Sequence, residues 1–141
     1  MSRRPPRSTL GRASAASDVY KGQRPRDVRR CVAELAGTDV LVGTVIGFPH
    51  GANLTATKVF EAQRAMEDGA VELDMVLPIG WLRSGEVDNV RNDVEAVVNV
   101  AHAGGAIVKG ILENAQLTGD QQETSARDCA HAGDALVTTN T

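Results

Sequence analysis

Aromatic residues are scarce. Trp81, Tyr20, Phe48 and Phe60 are the only four in 141 residues, so a core has to be assembled from Val, Leu, Ile and Ala. Such an aliphatic diet suits parallel strands buried on both faces by helices. Cysteine is nearly absent too. Cys31 and Cys129 stand far apart with no CxxC spacing, which gives no thiolate metal cluster and fits free thiols in a reducing compartment. No apolar run approaches the roughly 20 residues of a membrane span. GxGxxG, Walker, HExxH and GxSxG patterns are all missing. Dinucleotide and P-loop binding, zinc-protease chemistry and serine hydrolysis therefore lack their signatures.

Acidic residues are missing only from the start. Residues 1–30 carry nine Lys/Arg and two Asp, whereas residues 31–141 carry six Lys/Arg and sixteen Asp/Glu. An acidic body argues against a nucleic-acid-binding surface there. Residues 1–23, "MSRRPPRSTLGRASAASDVYKGQ", lack the apolar segment of a secretory signal. By composition they could be a transit peptide, a basic arm for nucleic acid, or a disordered tail. The stretch also resembles translated sequencing-adapter sequence, which implies an inert or artefactual tail ahead of a domain at 24–141.

From Arg24 the pattern is regular. Pro25 suits a first helical position, and Val28, Cys31, Val32 and Leu35 follow at helical spacing before Gly37. Residues 40–48, "VLVGTVIGF", read as a strand. A helix over 54–68 has Asn53 as its cap and Ala56, Val59, Phe60 and Met66 as its apolar side. "VELDMVL" is the second strand, "PIGWLRSG" a loop, and Ser84 a cap for a helix over 86–103. That helix has the clearest period: Val87, Val90, Val94, Val97, Val98, Ala101. Residues 106–113 form a third strand, Thr118 and Gln121 a capping box for a helix over 119–132, and residues 135–139 a fourth strand. Strands separated by helices pair in parallel. The pattern predicts an α/β fold, either a doubly wound sheet or about four strands of a (β/α)8 barrel, whose roughly 250 residues give a matching spacing. The missing nucleotide-binding loops favour the partial barrel.

Ligand sites in such folds lie at the C-terminal strand ends. Alternation puts Glu72, Asp74 and Val76 on one face of their strand and Leu73 and Met75 on the other. The helix-facing side has to be apolar, so Glu72 and Asp74 point to the barrel axis. Lys109, one strand over, is the expected counter-charge. The pair could be an interior salt bridge or an acid–base group beside an amine, and the pattern alone does not choose. His50 in "GFPHGAN" and Glu113 with Asn114 also fall at strand ends, where plain loop polarity explains them as well.

The phrases "GFPHGAN", "DGAVELDMV" and "VKGILE", in this order and spacing, resemble the deoxyribose-phosphate aldolases. The likeness runs from Arg24 to Thr141 and matches the middle of that enzyme, from just before its third strand to its sixth. It implies a (β/α)8 barrel and a lyase without metal or other cofactor. Such an enzyme cleaves 2-deoxy-D-ribose 5-phosphate to D-glyceraldehyde 3-phosphate and acetaldehyde through a lysine Schiff base, in cytoplasmic deoxyribonucleotide catabolism. The resemblance makes Asp74 the proton-relay aspartate and Lys109 the lysine beside the reaction centre. It places Thr141 at the substrate. The family's Schiff-base lysine falls on Thr138 in "VTTNT", and threonine forms no imine, so the chain is expected to be inactive. The family's remaining lysine and its phosphate-binding loops would lie beyond Thr141. The implied partner is a small phosphorylated sugar, with neither nucleic acid nor membrane, in a parent enzyme that is a homo-oligomer. The alternative is a non-catalytic binding or scaffolding relative that keeps half the barrel.

Overall fold

The computed structural model describes residues 19–22, 24–113, 118–121, 123, 127 and 135–139. Five parallel strands form one sheet: β1 Val19–Gly22, β2 Leu41–Ile46, β3 Glu72–Val76, β4 Ile107–Glu113 and β5 Ala135–Thr139. Their spatial order is their sequence order. A doubly wound sheet reverses order at a switch point; this one does not, and it advances strand by strand as a barrel wall does. Among the described residues β1 and β5 remain edges, so the wall is open. The chain is a partial (β/α)8 barrel.

A 3-10 turn, Pro25–Asp27, leads into α1, Val28–Glu34. Helix α2 is Thr55–Glu67, α3 the short Ile79–Arg83, and α4 Val87–Ala103. Val90, Val94, Val97, Val98 and Ala101 of α4 are buried as the period predicts. Burying each valine is worth about 1.5–3 kcal/mol. That outweighs its helix-propensity cost of no more than about 0.7 kcal/mol. This stripe packs with Val42, Ile46, Leu73, Met75, Val108 and Leu112, the helix-facing residues of β2, β3 and β4. On β4 the alternate residues Ile107, Lys109 and Ile111 are only half-buried. One face of the wall is closed by helices, and the other is partly open. No helix of the described residues is long and apolar enough to cross a membrane.

The structure departs from the sequence reading at several points. Val19–Gly22 belong to the sheet, pairing with Leu41–Thr44, so the fold reaches four residues into the stretch read as a tail. A strand that short, with Tyr20 and Lys21 at its centre, gives no apolar run to recognise. "PIGWLRSG" is not a plain loop, because it holds α3, and Ser84 is the C-cap of that helix. Neither α2 nor α4 has a side-chain N-cap, and their caps are Leu54 and Glu86. The expected apolar side of α2 holds in part: Val59 and Met66 pack half-buried against the core, whereas Ala56 is exposed. Phe60 is exposed, and the buried residues are Lys58, Ala62 and Ala65. Small alanines let α2 lie close to its neighbours, and Lys58 is buried because Asp93 of α4 neutralises it at 2.5 Å. The capping box forms: Thr118 N–H donates to Gln121 Oε1 at 2.9 Å, and Gln121 N–H to Thr118 Oγ1 at 3.3 Å. Most of the helix expected over 119–132, with Cys129, lies outside the described residues.

Candidate active site

Two rows of residues cross the axis-facing side of the sheet. Strand register aligns Lys21 with Gly43 and Gly43 with Glu72 in one row, and Val45 with Asp74 and Asp74 with Lys109 in the next. Glycine at 43 matters. A Cβ there would sit 3.1 Å from Val19 Cγ1 and 3.2 Å from Glu72 Cβ. Without one, Lys21 of β1 reaches across β2 to the carboxylates of β3. Its Nζ lies 2.9 Å from Glu72 Oε2 and 3.0 Å from Asp74 Oδ2. Lys109 Nζ contacts Glu72 Oε1 at 3.1 Å.

The result is a chain of alternating charge: Lys109, Glu72, Lys21, Asp74. Glu72 is fully buried and Asp74 nearly so. Burial pushes Asp74 above the ordinary carboxylate range, against the pull of Lys21. For Lys21, burial works to lower its pKa, but its contacts with Glu72 and Asp74 prevail and hold it above the usual lysine value. Asp74 Oδ1 has no hydrogen-bond partner among the described residues. A buried carboxylate with one free oxygen and an ammonium on the other can accept and return a proton.

The site rim is the 47–54 loop between β2 and α2. Gly51 has φ +66°, and a Cβ there would collide with the Leu77 and Val76 carbonyls. The loop therefore presses directly on the C-terminal end of β3. Gly47 N–H donates to Glu61 Oε1 at 2.8 Å, tying the loop to α2. Beside it lies a cavity of about 150 Å³ lined by Gly51, Ala52, Asn53, Pro78, Gly80 and Trp81.

The sequence-predicted residues fare unevenly. Asp74 and Lys109 are register partners on adjacent strands, yet the Lys109 ammonium meets Glu72. The partner of Asp74 is Lys21, which sequence reasoning missed because it left this stretch out of the domain. The alternation in "VYK" shortly before Pro25 is the signal that could have found it. His50 is exposed on the rim. In β5, Thr138 is placed opposite Leu112 and Thr139 opposite Glu113. Thr138 thus falls between the positions in register with Lys109, Ile111 and Glu113. Asn114, Thr141 and the side chain of Glu113 lie outside the described residues. No group of three or more His, Cys, Asp or Glu among the described residues could hold a metal ion.

A family model described as DeoC/LacD family aldolase matches residues 13–139. The chain belongs to the DeoC/LacD aldolases. A deoxyribose-phosphate aldolase of Thermococcus gammatolerans is 50% identical over 103 residues, which are 73% of this chain and 46% of that protein. One of Lactiplantibacillus plantarum is 45% identical over 117 residues, 83% of this chain and 54% of the relative. Among solved structures, a protein of Coccidioides immitis assigned to the deoxyribose-phosphate aldolases superposes with TM-score 0.82 at 36% identity, covering 94% of this chain and 51% of that one. The chain thus spans about half the length of the aldolases it matches. The family match begins at residue 13, upstream of β1, so Lys21 lies within the aldolase segment.

Proposed function

We propose that this chain carries the central wall of a deoxyribose-phosphate aldolase, with Asp74 as the proton relay and Lys109 beside the reaction centre. The observation that carries the reading is Asp74 itself. It is a buried carboxylate, raised in pKa, with one unpartnered oxygen at the end of the axis-facing charge chain. Such a group can shuttle the proton that carbon–carbon cleavage requires. The substrate of the whole enzyme is 2-deoxy-D-ribose 5-phosphate, cleaved in the cytoplasm to D-glyceraldehyde 3-phosphate and acetaldehyde through a lysine Schiff base. The parent enzyme is a homo-oligomer, and the family resemblance assigns Thr141 to substrate binding. In this chain Thr138 stands where the family places its imine-forming lysine, so the chain does not turn over that substrate.

The test is a retro-aldol assay on the purified chain, with released triose phosphate coupled to a dehydrogenase. The expected result is no release above the protein-free control. Release that Asp74→Asn abolishes would overturn the inactive reading while supporting the relay. A second reading, a non-catalytic relative that keeps half the barrel, is favoured by the continuous core that the helices already close on one sheet face. Cooperative unfolding of monodisperse residues 19–141 would support it; aggregation from the open edges would count against it.

A further inference from the structure

From Thr55 to Glu67 the exposed positions of α2 are Ala56, Thr57, Phe60, Gln63, Arg64 and Glu67. Steps of one, three and four put them on one helix face, opposite the buried Lys58, Ala62 and Ala65. Phe60 stands at the middle of that stripe and outside the core. Leu54, the most exposed large apolar residue among those described, flanks its start. The helix ends are uncompensated as well. No side chain caps the N-terminus of α2, and its first turn holds no acid, so the positive end of the dipole and its first N–H groups stay open. Glu67 puts a carboxylate at the negative end, where it is unfavourable. Arg64 at 3.4 Å offsets that in part.

We propose that this stripe docks a second copy of the chain, with the two α2 helices antiparallel across a two-fold axis at Phe60. Residues equally far before and after Phe60 then face each other. Phe60 meets its own copy. Arg64 faces Ala56, whose methyl group leaves room for the arginine stem. Gln63 faces Thr57, an amide against a hydroxyl. Glu67 faces Asn53, so the carboxylate at the negative end of one helix reaches the open positive end of the other. Symmetry makes that contact twice. A parallel pairing would instead set Arg64 beside Arg64 and Glu67 beside Glu67, and like charges brought together oppose association. Charge therefore selects the antiparallel form. A helix of 13 residues offers about 20 Å of contact, which suits weak, concentration-dependent association rather than an obligate dimer. The proposal takes from the proposed function only that copies of the chain associate. It uses neither Asp74 nor any catalytic step.

Analytical ultracentrifugation of the full chain over a concentration series tests this. The expected result is monomer when dilute and dimer when concentrated. Phe60→Ser should weaken the dimer by on the order of tenfold or more, while thermal unfolding of the dilute chain stays unchanged. Disulfide trapping locates the axis. Phe60→Cys should oxidise to a dimer linked through position 60, read by peptide mass spectrometry. Glu67→Cys should not link to its own copy, because the two positions lie about 20 Å apart along the antiparallel pair, beyond disulfide reach. A dimer that Phe60→Ser leaves intact, or one that Glu67→Cys links as readily as Phe60→Cys, would overturn the surface while leaving the homo-oligomer reading in place. A chain that stays monomeric at every concentration would overturn both.

Discussion

Lys58 of α2 and Asp93 of α4 meet at 2.5 Å with both side chains fully enclosed. Thr55 Oγ1 donates to the other Asp93 oxygen at 2.6 Å. Burial lowers the Lys58 pKa, and Asp93 opposes that shift. Removing one partner leaves a buried charge alone, which costs about 3–5 kcal/mol, whereas replacing both with apolar residues is often neutral or better. Lys58→Met is therefore expected to lose most of the stability of the chain. Lys58→Met with Asp93→Leu should recover the greater part. Urea unfolding of the single and double variants reads the difference, and equal midpoints would show that the pair is not coupled.

Asp74 carries a pH signature. Its folded-state pKa is raised, by burial first. A raised carboxyl binds its proton more tightly in the folded chain than in the unfolded one. Its contribution to stability is then fully present below the unfolded value and is lost as pH rises through the folded value. At neutral pH the ionised group is a burden that an amide would not impose. Asp74→Asn is expected to raise the melting temperature at pH 7 and above. The gain should shrink as pH falls through the folded pKa and vanish near about pH 4, the unfolded carboxyl value. A gain that grows on acidification would mean that the Lys21 contact outweighs burial.

What the sequence revealed follows from which interactions repeat. The Val90, Val94, Val97, Val98 stripe of α4 recurs at a fixed period, so the helix and its buried face were legible. So was the two-sided character of β3, because Leu73 and Met75 alternate with Glu72 and Asp74. Lys58 was not legible as a core residue, since its burial depends on Asp93, 35 positions away. Lys21 failed to show for a related reason. Its role comes from strand register, which puts Gly43 between it and Glu72, and a four-residue edge strand carries too little pattern to announce a register. Asp74 was legible as an axis-facing carboxylate, but its partner was not. A counter-charge was sought on the next strand along the chain, while the one in contact comes from two strands back.

Gly43 tests the lane that brings Lys21 to its partners. Valine there would force its branched side chain between Val19 and Glu72, where even a Cβ is tight at 3.1–3.2 Å. Overpacking of this kind costs about 1–3 kcal/mol. Gly43→Val should also separate the Lys21 ammonium from Glu72 and loosen β1. The check is hydrogen exchange: amides in Val19–Gly22 are expected to exchange faster, while those of β3 and β4 keep their protection. Unchanged exchange in β1 would show that the strand does not depend on the contact made over Gly43.

The two sides of α2 give opposite predictions for two apolar residues two positions apart. Phe60 is 62% exposed, and Ala62 is fully enclosed. A sequence-based preference for the larger hydrophobe would put Phe60 inside. The observed orientation predicts instead that Phe60→Ser stays within about 0.5 kcal/mol of the parent chain, as surface changes usually do. Ala62→Leu has to push additional methyl and methylene groups into the space between α2 and its neighbours, at a cost of about 1–3 kcal/mol. Thermal unfolding of both variants in one buffer decides which face packs. A large loss for Phe60→Ser with tolerance of Ala62→Leu would mean that α2 is rotated from the orientation described, and the Lys58–Asp93 contact, which needs this rotation, would have to be abandoned with it.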